Sequence, residues 1–341
     1  MYKILKLNNI ASEGLLSFDS NKYHVGDEVT SPDAILVRSY NMHEINISPN
    51  LLAVGRAGAG VNNIPIDKLT KMAIPVFNAP GANANAVKEL VLAAILISAR
   101  NIHRAINYVN TLKNSENLKS EIESAKREYV GFELPNKSIG VIGLGSIGVK
   151  VANACHDLGM KVFGYDPMIS VDNAINLVPG VKKIDDLSEL LKHIDILTIH
   201  IPFNKETKGF ISSKEISLLS KNSIIINLSR EEIVDTDSIV SALNKNQIDT
   251  YVTDFPKLEL IGNPDVLLMP HLGASTKEAE INCALMVANS LISFIEDGNI
   301  INAVNFPDVS LIRDTEHRLT ITNLNKPNML GQFTSLLGKA N

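Results

Sequence analysis

The sequence predicts an α/β chain of two Rossmann-like domains, one flavodoxin-like and one a larger doubly wound parallel sheet, and three observations carry that expectation. Apolar runs of strand length recur along the chain with helix-compatible segments between them. One of these runs, IGVIG, passes straight into the glycine turn GLGSIG and then into an apolar-periodic helix. Two long helical patterns bracket the part of the chain that holds this turn.

In chain order, YKILKL, AILVRS, LLAVGRAG and PVFNAP read as strands of a first parallel sheet. From Val87 to about Asn110 the pattern is one helix with a nearly all-apolar centre, suited to a spine between domains. Six further strand candidates follow, GVIG, VFGYD, ILTIH, SIIINLS, TYVTDF and VLLMP. A second helical pattern runs from Ser275 to about Glu296, with Gly298 as its stop signal. The chain is thus expected to leave its first domain, build a second and return. Residues 1–95 and 283–312 would form the substrate-binding domain, 96–282 the nucleotide domain, and 316–341 a further segment.

The glycine turn has a division of labour. Gly143 permits the tight strand-to-helix turn, Gly145 lets a pyrophosphate approach the backbone, and Gly148 lets helix and strand pack closely. Phosphate charge then sits on free amides at a helix start. Asp166, roughly 20 residues on, is placed to bond the adenosine ribose hydroxyls and to repel a 2′-phosphate. The cofactor expected is therefore NAD and not NADP.

Composition fits this picture. A length of 341 residues suggests about two domains, and 45 % hydrophobic with 20 % charged residues describes an ordinary globular protein. A net charge of −5 argues against a nucleic-acid surface. No apolar run is expected to span a membrane, and the start MYKILKLNNI lacks a signal peptide's apolar core. Cys155 and Cys283 lie in helical patterns without partners at metal-ligand spacing, which reads as core thiols in a reducing cytoplasm and no metal.

Chemistry is expected at the carboxyl ends of the second domain's strands. Arg230 follows IIINLS, Glu259 follows YVTDFPKL, and His271 follows VLLMP. Oxidation of an alcohol by NAD needs a base near neutral pKa, a group that fixes the base, and a cation for a substrate anion. These three residues supply that set. Singly, each also fits a packed or solvated loop position.

GLGSIG with GYDP, HIPFNKET, INLSREEIVD and PHLGAST follow the order and spacing of the D-isomer-specific 2-hydroxyacid dehydrogenase family, which the chain resembles over nearly its whole length. Within that family VGRAGAGVNNI, VFNAPGANANAVKELV and GNIINAVNFP are most similar to the D-3-phosphoglycerate dehydrogenases. The ending RLTITNLNKPNMLGQFTSLLGKAN resembles the first strand and helix of an ACT regulatory domain, incomplete here over 316–341.

The resemblance implies that Arg230 binds the substrate carboxylate, that His271 is the acid/base, and that Glu259 orients His271. It places the Ser146 and Ile147 amides at the pyrophosphate and the Ile201 and Pro202 strand exit beside the adenine. Leu228, Ser229 and Asp254 would lie near the nicotinamide, with Gly273 and Ala274 after His271; Asp254 also reads as a strand-end capping acid. Arg38 and Arg56, at strand ends of the first domain, suit a substrate phosphate or, alternatively, surface ion pairs, and the backbone of Ala57, Gly58, Ala59 and Gly60 suits the substrate carboxylate. The reaction implied is NAD-dependent oxidation of 3-phospho-D-glycerate to 3-phosphohydroxypyruvate in L-serine biosynthesis. The alternatives are a broad D-2-hydroxyacid dehydrogenase or glyoxylate/hydroxypyruvate reductase, and an NAD-sensing binding module. A homodimer or higher homo-oligomer is implied, through residues 87–130. The chain departs from the family where Glu231 and Glu232 follow Arg230, a position usually held by glycine.

Overall fold

The computed structural model describes residues 1–339. They divide into two compact units, Met1–Pro80 with the chain from Glu280 onward, and Gly81–Ala279.

The first unit contains β1 (Tyr2–Leu7), α1 (Ser12–Leu15), β2 (Tyr23–Gly26), β3 (Ala34–Val37), β4 (Ala53–Arg56), α2 (Ile66–Lys71) and β5 (Val76–Phe77). Its sheet runs β2-β1-β3-β4-β5, all parallel, which is the flavodoxin-like order. The run AILV is β-branched or aliphatic throughout and all four residues are buried, as a central parallel strand requires. Strand β2 was not among the strands expected: YHVG carries a polar histidine and lies at the sheet edge.

The second unit opens with α3 (Ala84–Ala99), α4 (Ile102–Thr111) and α5 (Leu118–Ala125). It continues through β6 (Ser138–Ile142), α6 (Ser146–Asp157), β7 (Lys161–Tyr165), α7 (Val171–Ile175), β8 (Lys182–Lys183), α8 (Leu187–Lys192) and β9 (Ile196–Ile199). Then come α9 (Ser213–Ile216), β10 (Ser223–Asn227), α10 (Thr236–Asn244), β11 (Ile248–Thr253) and β12 (Val266–Leu268). The order β12-β11-β10-β9-β6-β7-β8 is doubly wound, with its switch point between β6 and β9. All six expected strands are present; the seventh, β8, is two exposed lysines that no apolar pattern marks.

The long helix expected from Val87 is two helices. Asn101 adopts φ +51 between α3 and α4, a left-handed conformation that asparagine tolerates and a continuing helix does not. The contact boundary also falls at Gly81 and not at 96, so α3 belongs with the nucleotide sheet, where α3 packs against α6.

Helix α11 (Lys277–Asp297) is long and apolar enough to cross a membrane, contrary to the expectation that no run is. It is used as a core helix of the first unit: an ideal Cβ on Gly55 of β4 would meet Leu291 Cδ1 and Val287 Cγ2 at 2.8 Å. Gly298 ends it at φ +69, as expected.

The ACT-like ending does not form the expected strand. Residues 317–326 carry no regular structure, and Leu319 and Leu324 are exposed. Helix α12 (Met329–Lys339) follows with no buried residue. Residues 340 and 341 of that segment lie outside the described residues.

Candidate active site

The three glycines of the nucleotide turn meet three different constraints. Gly143 has φ +87, and an ideal Cβ there would stand 2.6 Å from the carbonyl oxygen of His200, across the switch point. A Cβ on Gly148 would overlap the carbonyl oxygen of Gly143. Gly145 is the opposite case: nothing lies within 4 Å of its ideal Cβ. It precedes α6, whose first amides, Ser146 and Ile147, have no partner within the helix. An open cradle before free amides is what a pyrophosphate fits.

Asp166 closes this turn. Its Oδ2 accepts from the Leu144 amide and its Oδ1 from the Met168 amide, each at 2.8 Å. Each carboxylate oxygen retains a lone pair for a ribose hydroxyl. Beside the turn, Ile201 Cγ2 is 2.9 Å from the ideal Cβ of Gly143, and the Pro202 carbonyl accepts from the Thr207 hydroxyl. His200, at the exit of β9, places Nε2 2.9 Å from Thr198 Oγ1. Burial pushes its pKa down to about 3, so it stays neutral.

A second cluster lies at the exits of β10, β11 and β12. Asp254 is 1 % exposed; its Oδ2 accepts from the Gly273 amide at 2.9 Å, while its Oδ1 is buried without a partner among the described residues. A buried carboxylate oxygen left unpaired in the protein fits a ligand that brings an N–H donor, and a nicotinamide carboxamide is such a donor. The ideal Cβ of Gly273 would lie 3.4 Å from Asp254 Oδ2 and 3.9 Å from the Leu228 carbonyl oxygen, so residues 228, 254 and 273 are neighbours. The carbonyl of Ala274 accepts from the Thr276 amide.

Arg230 is held by a residue the sequence reading passed over. Asn227, fully buried, donates from Nδ2 to the Arg230 carbonyl at 2.9 Å. Its Oδ1 accepts from the Ser229 amide and hydroxyl, at 3.2 and 3.1 Å. Next to it, Tyr251 is pushed up to about 12 by burial, with the side chains of Asn227 and Thr253 beside its hydroxyl. The sequence signal for Asn227 is a polar residue directly after the apolar run of residues 224–226. Arg230 Nη1 also donates to the Ser229 carbonyl at 2.6 Å.

His271 has φ +36, a conformation that histidine seldom adopts, and its amide donates to the Asp254 carbonyl at 2.8 Å. Its ring lies 5.2 Å from that of Phe255. Among the described residues no ion pair joins it to Glu259, against the expectation that this acid orients it. The short turn Leu258–Leu260 buries Leu260 in the core and so leaves Glu259 exposed. Aromatic and backbone contacts to Phe255 and Asp254 fix His271 instead.

In the first unit, Arg38 directly follows β3 and Arg56 ends the neighbouring β4, and Arg56 Nε donates to the Arg38 carbonyl at 3.1 Å. Arg38 takes the ion-pair alternative: its Nη2 lies 2.6 Å from Glu280 Oε1. The Ala57 amide donates to the Val37 carbonyl and the Gly58 amide to the Arg56 carbonyl. Among the described residues, the Ala59 and Gly60 amides have no backbone acceptor.

The D-isomer specific 2-hydroxyacid dehydrogenase family, through its NAD binding domain, matches residues 92–273. A D-3-phosphoglycerate dehydrogenase of Escherichia coli strain K12 is 34 % identical over 306 residues, 86 % of this chain and 71 % of that protein. The chain belongs to this dehydrogenase family. A second relative, the D-3-phosphoglycerate dehydrogenase of Archaeoglobus fulgidus, is 34 % identical over 292 residues, 83 % of this chain. The chain spans about half of that protein's length, 53 %. The crystal structure of an NAD-bound 3-phosphoglycerate dehydrogenase from Entamoeba histolytica superposes with a TM-score of 0.71 at 24 % identity, over 89 % of this chain and 99 % of that one, and shares the fold. The second unit is thus the family's NAD-binding domain, and NAD is the cofactor that Gly145, Asp166 and Asp254 fit.

Proposed function

We propose that the chain oxidises 3-phospho-D-glycerate to 3-phosphohydroxypyruvate with NAD, the entry step of phosphorylated L-serine biosynthesis. The observation that carries the reading is the convergence of Asp254, Leu228 and Gly273 at the strand exits that also bear Arg230 and His271. The names of the relatives support the choice of substrate.

NAD, when bound, would supply the hydride acceptor for this chemistry. Asp254 Oδ1 would hold its carboxamide by accepting an N–H. Arg230 pairs with the substrate carboxylate and polarises the reacting oxygen. Neutral His271 takes the hydroxyl proton during oxidation, and its imidazolium returns that proton during reduction. Within the first unit, taken by itself, the Ala59 and Gly60 amides suit a carboxylate, and Arg38 and Arg56 suit a phosphate. Glu259, exposed, acts on His271 only through a change of position. Exposed Ile106 and Val109 of α4, with Leu118 of α5, support self-association of the chain.

One observation favours a second reading, a dehydrogenase of unphosphorylated 2-hydroxy acids: Glu280 already engages Arg38. Steady-state NADH formation separates the two, with 3-phospho-D-glycerate, D-glycerate, D-lactate and D-2-hydroxyglutarate as substrates. A strong preference for the phosphorylated acid, abolished by His271→Ala, is expected; equal rates on the unphosphorylated acids would replace the first reading by the second.

A further inference from the structure

We propose that Glu280 sets the selectivity of the first unit for its substrate's distal group, by competing with that group for Arg38; this rests on the functional reading above. The two guanidinium residues stand on paired strands, with Val37 in register with Arg56, and are joined through the Arg38 carbonyl. Helix α11 brings a carboxylate to the same place, Glu280 Oε1 at 2.6 Å from Arg38 Nη2.

Cys283, nearly one helical turn further along α11, lies within the fields of Arg56, Arg38 and Glu280 together. The three charges therefore share one neighbourhood, and their formal sum is that of a single cation. A phosphate dianion meets less compensation there than two arginines alone would give. A hydroxyl or other neutral group is nearly indifferent to the difference.

The pair is also displaceable. Its side chains are 35 % and 40 % exposed, so water screens it, and half-exposed pairs of this kind are weakly held. A phosphate offers Arg38 a bidentate, doubly charged partner and so outcompetes a single carboxylate oxygen. Glu280 holds Arg38 in the free protein, yields it to the substrate, and opposes the incoming charge as it does so. It is a positioning residue that acts through Arg38.

Glu280→Gln separates charge from shape, since the amide oxygen still accepts from Arg38. The expected result is a fall of about five- to tenfold in KM for 3-phospho-D-glycerate, as one nearby negative charge is removed, with kcat moving less than KM. KM for D-glycerate stays where it was, and Arg38→Ala in the same background cancels the gain. An unchanged or raised KM for the phosphorylated acid, or equal shifts for both acids, overturns the role of Glu280. Wild-type protein that does not prefer 3-phospho-D-glycerate over D-glycerate at all would instead remove the functional reading, and the proposal with it.

Discussion

Lys257 Nζ lies 3.0 Å from Glu231 Oε1, so the acid that follows Arg230 in the chain is engaged by a cation from the loop after β11. The departure from the family's glycine is thereby compensated within the fold. Lys257→Met leaves Glu231 beside Arg230 without its partner. The pair is partly exposed and worth about 0–1 kcal/mol, so KM for an anionic substrate is expected to rise by no more than about fivefold. Adding Glu231→Gln restores it; a KM that ignores both changes would mean that Glu231 does not reach the field of Arg230.

Two glycines three residues apart are expected to fail in different ways. Gly148→Ala drives a methyl group into the Gly143 carbonyl, a backbone atom that cannot step aside. A loss above about 4 kcal/mol in stability is expected, visible as a large drop in Tm. Gly145→Ala meets open space and keeps the fold, yet weakens NADH binding in a fluorescence titration. If both variants melt alike, the assignment of Gly145 to the cofactor is wrong.

Burial holds His200 neutral down to about 3, against 6.5 for an exposed histidine. Between these values the unfolded chain binds a proton that the folded chain refuses, so stability falls as pH falls through that window. His103, also lowered first by burial, acts in the same direction. His200 alone gives a slope of at most about 1.4 kcal/mol per pH unit. Urea melts of wild type and His200→Asn at pH 7 and pH 5 check this. The wild type is expected to lose up to about 2 kcal/mol more than the variant on acidification; parallel losses would assign acid lability to other groups.

The parts of this molecule that were legible in its sequence are those that obey a local rule. AILV and the III of SIIIN are apolar on both faces because parallel strands are covered on both faces, and GLGSIG is dictated by backbone clearances within a few residues. Asn101 was harder to read, because its left-handed φ interrupts a pattern whose apolar spacing continues past it. Glu259, which the resemblance assigns to His271, faces outward, since order along the chain does not set which side of a short turn a residue takes. Lys257 and Glu280 were invisible for one shared reason. Each acquires meaning only from a partner brought near by folding, and Glu280 finds Arg38 from 242 positions away.

The first unit draws its sheet from residues before the second unit and its core helix from residues after it, with Gly55 of β4 awaiting Val287 and Leu291 of α11. A ribosome delivers these partners only after the whole of the second unit. The second unit, whose sequence is uninterrupted, is complete before they emerge, so its sheet is the first to gain protection as the nascent chain lengthens. The leading eighty residues carry an apolar sheet face with nothing to cover it until α11 arrives, and it is they, and not the nucleotide domain, that are exposed to aggregation or chaperone capture during synthesis.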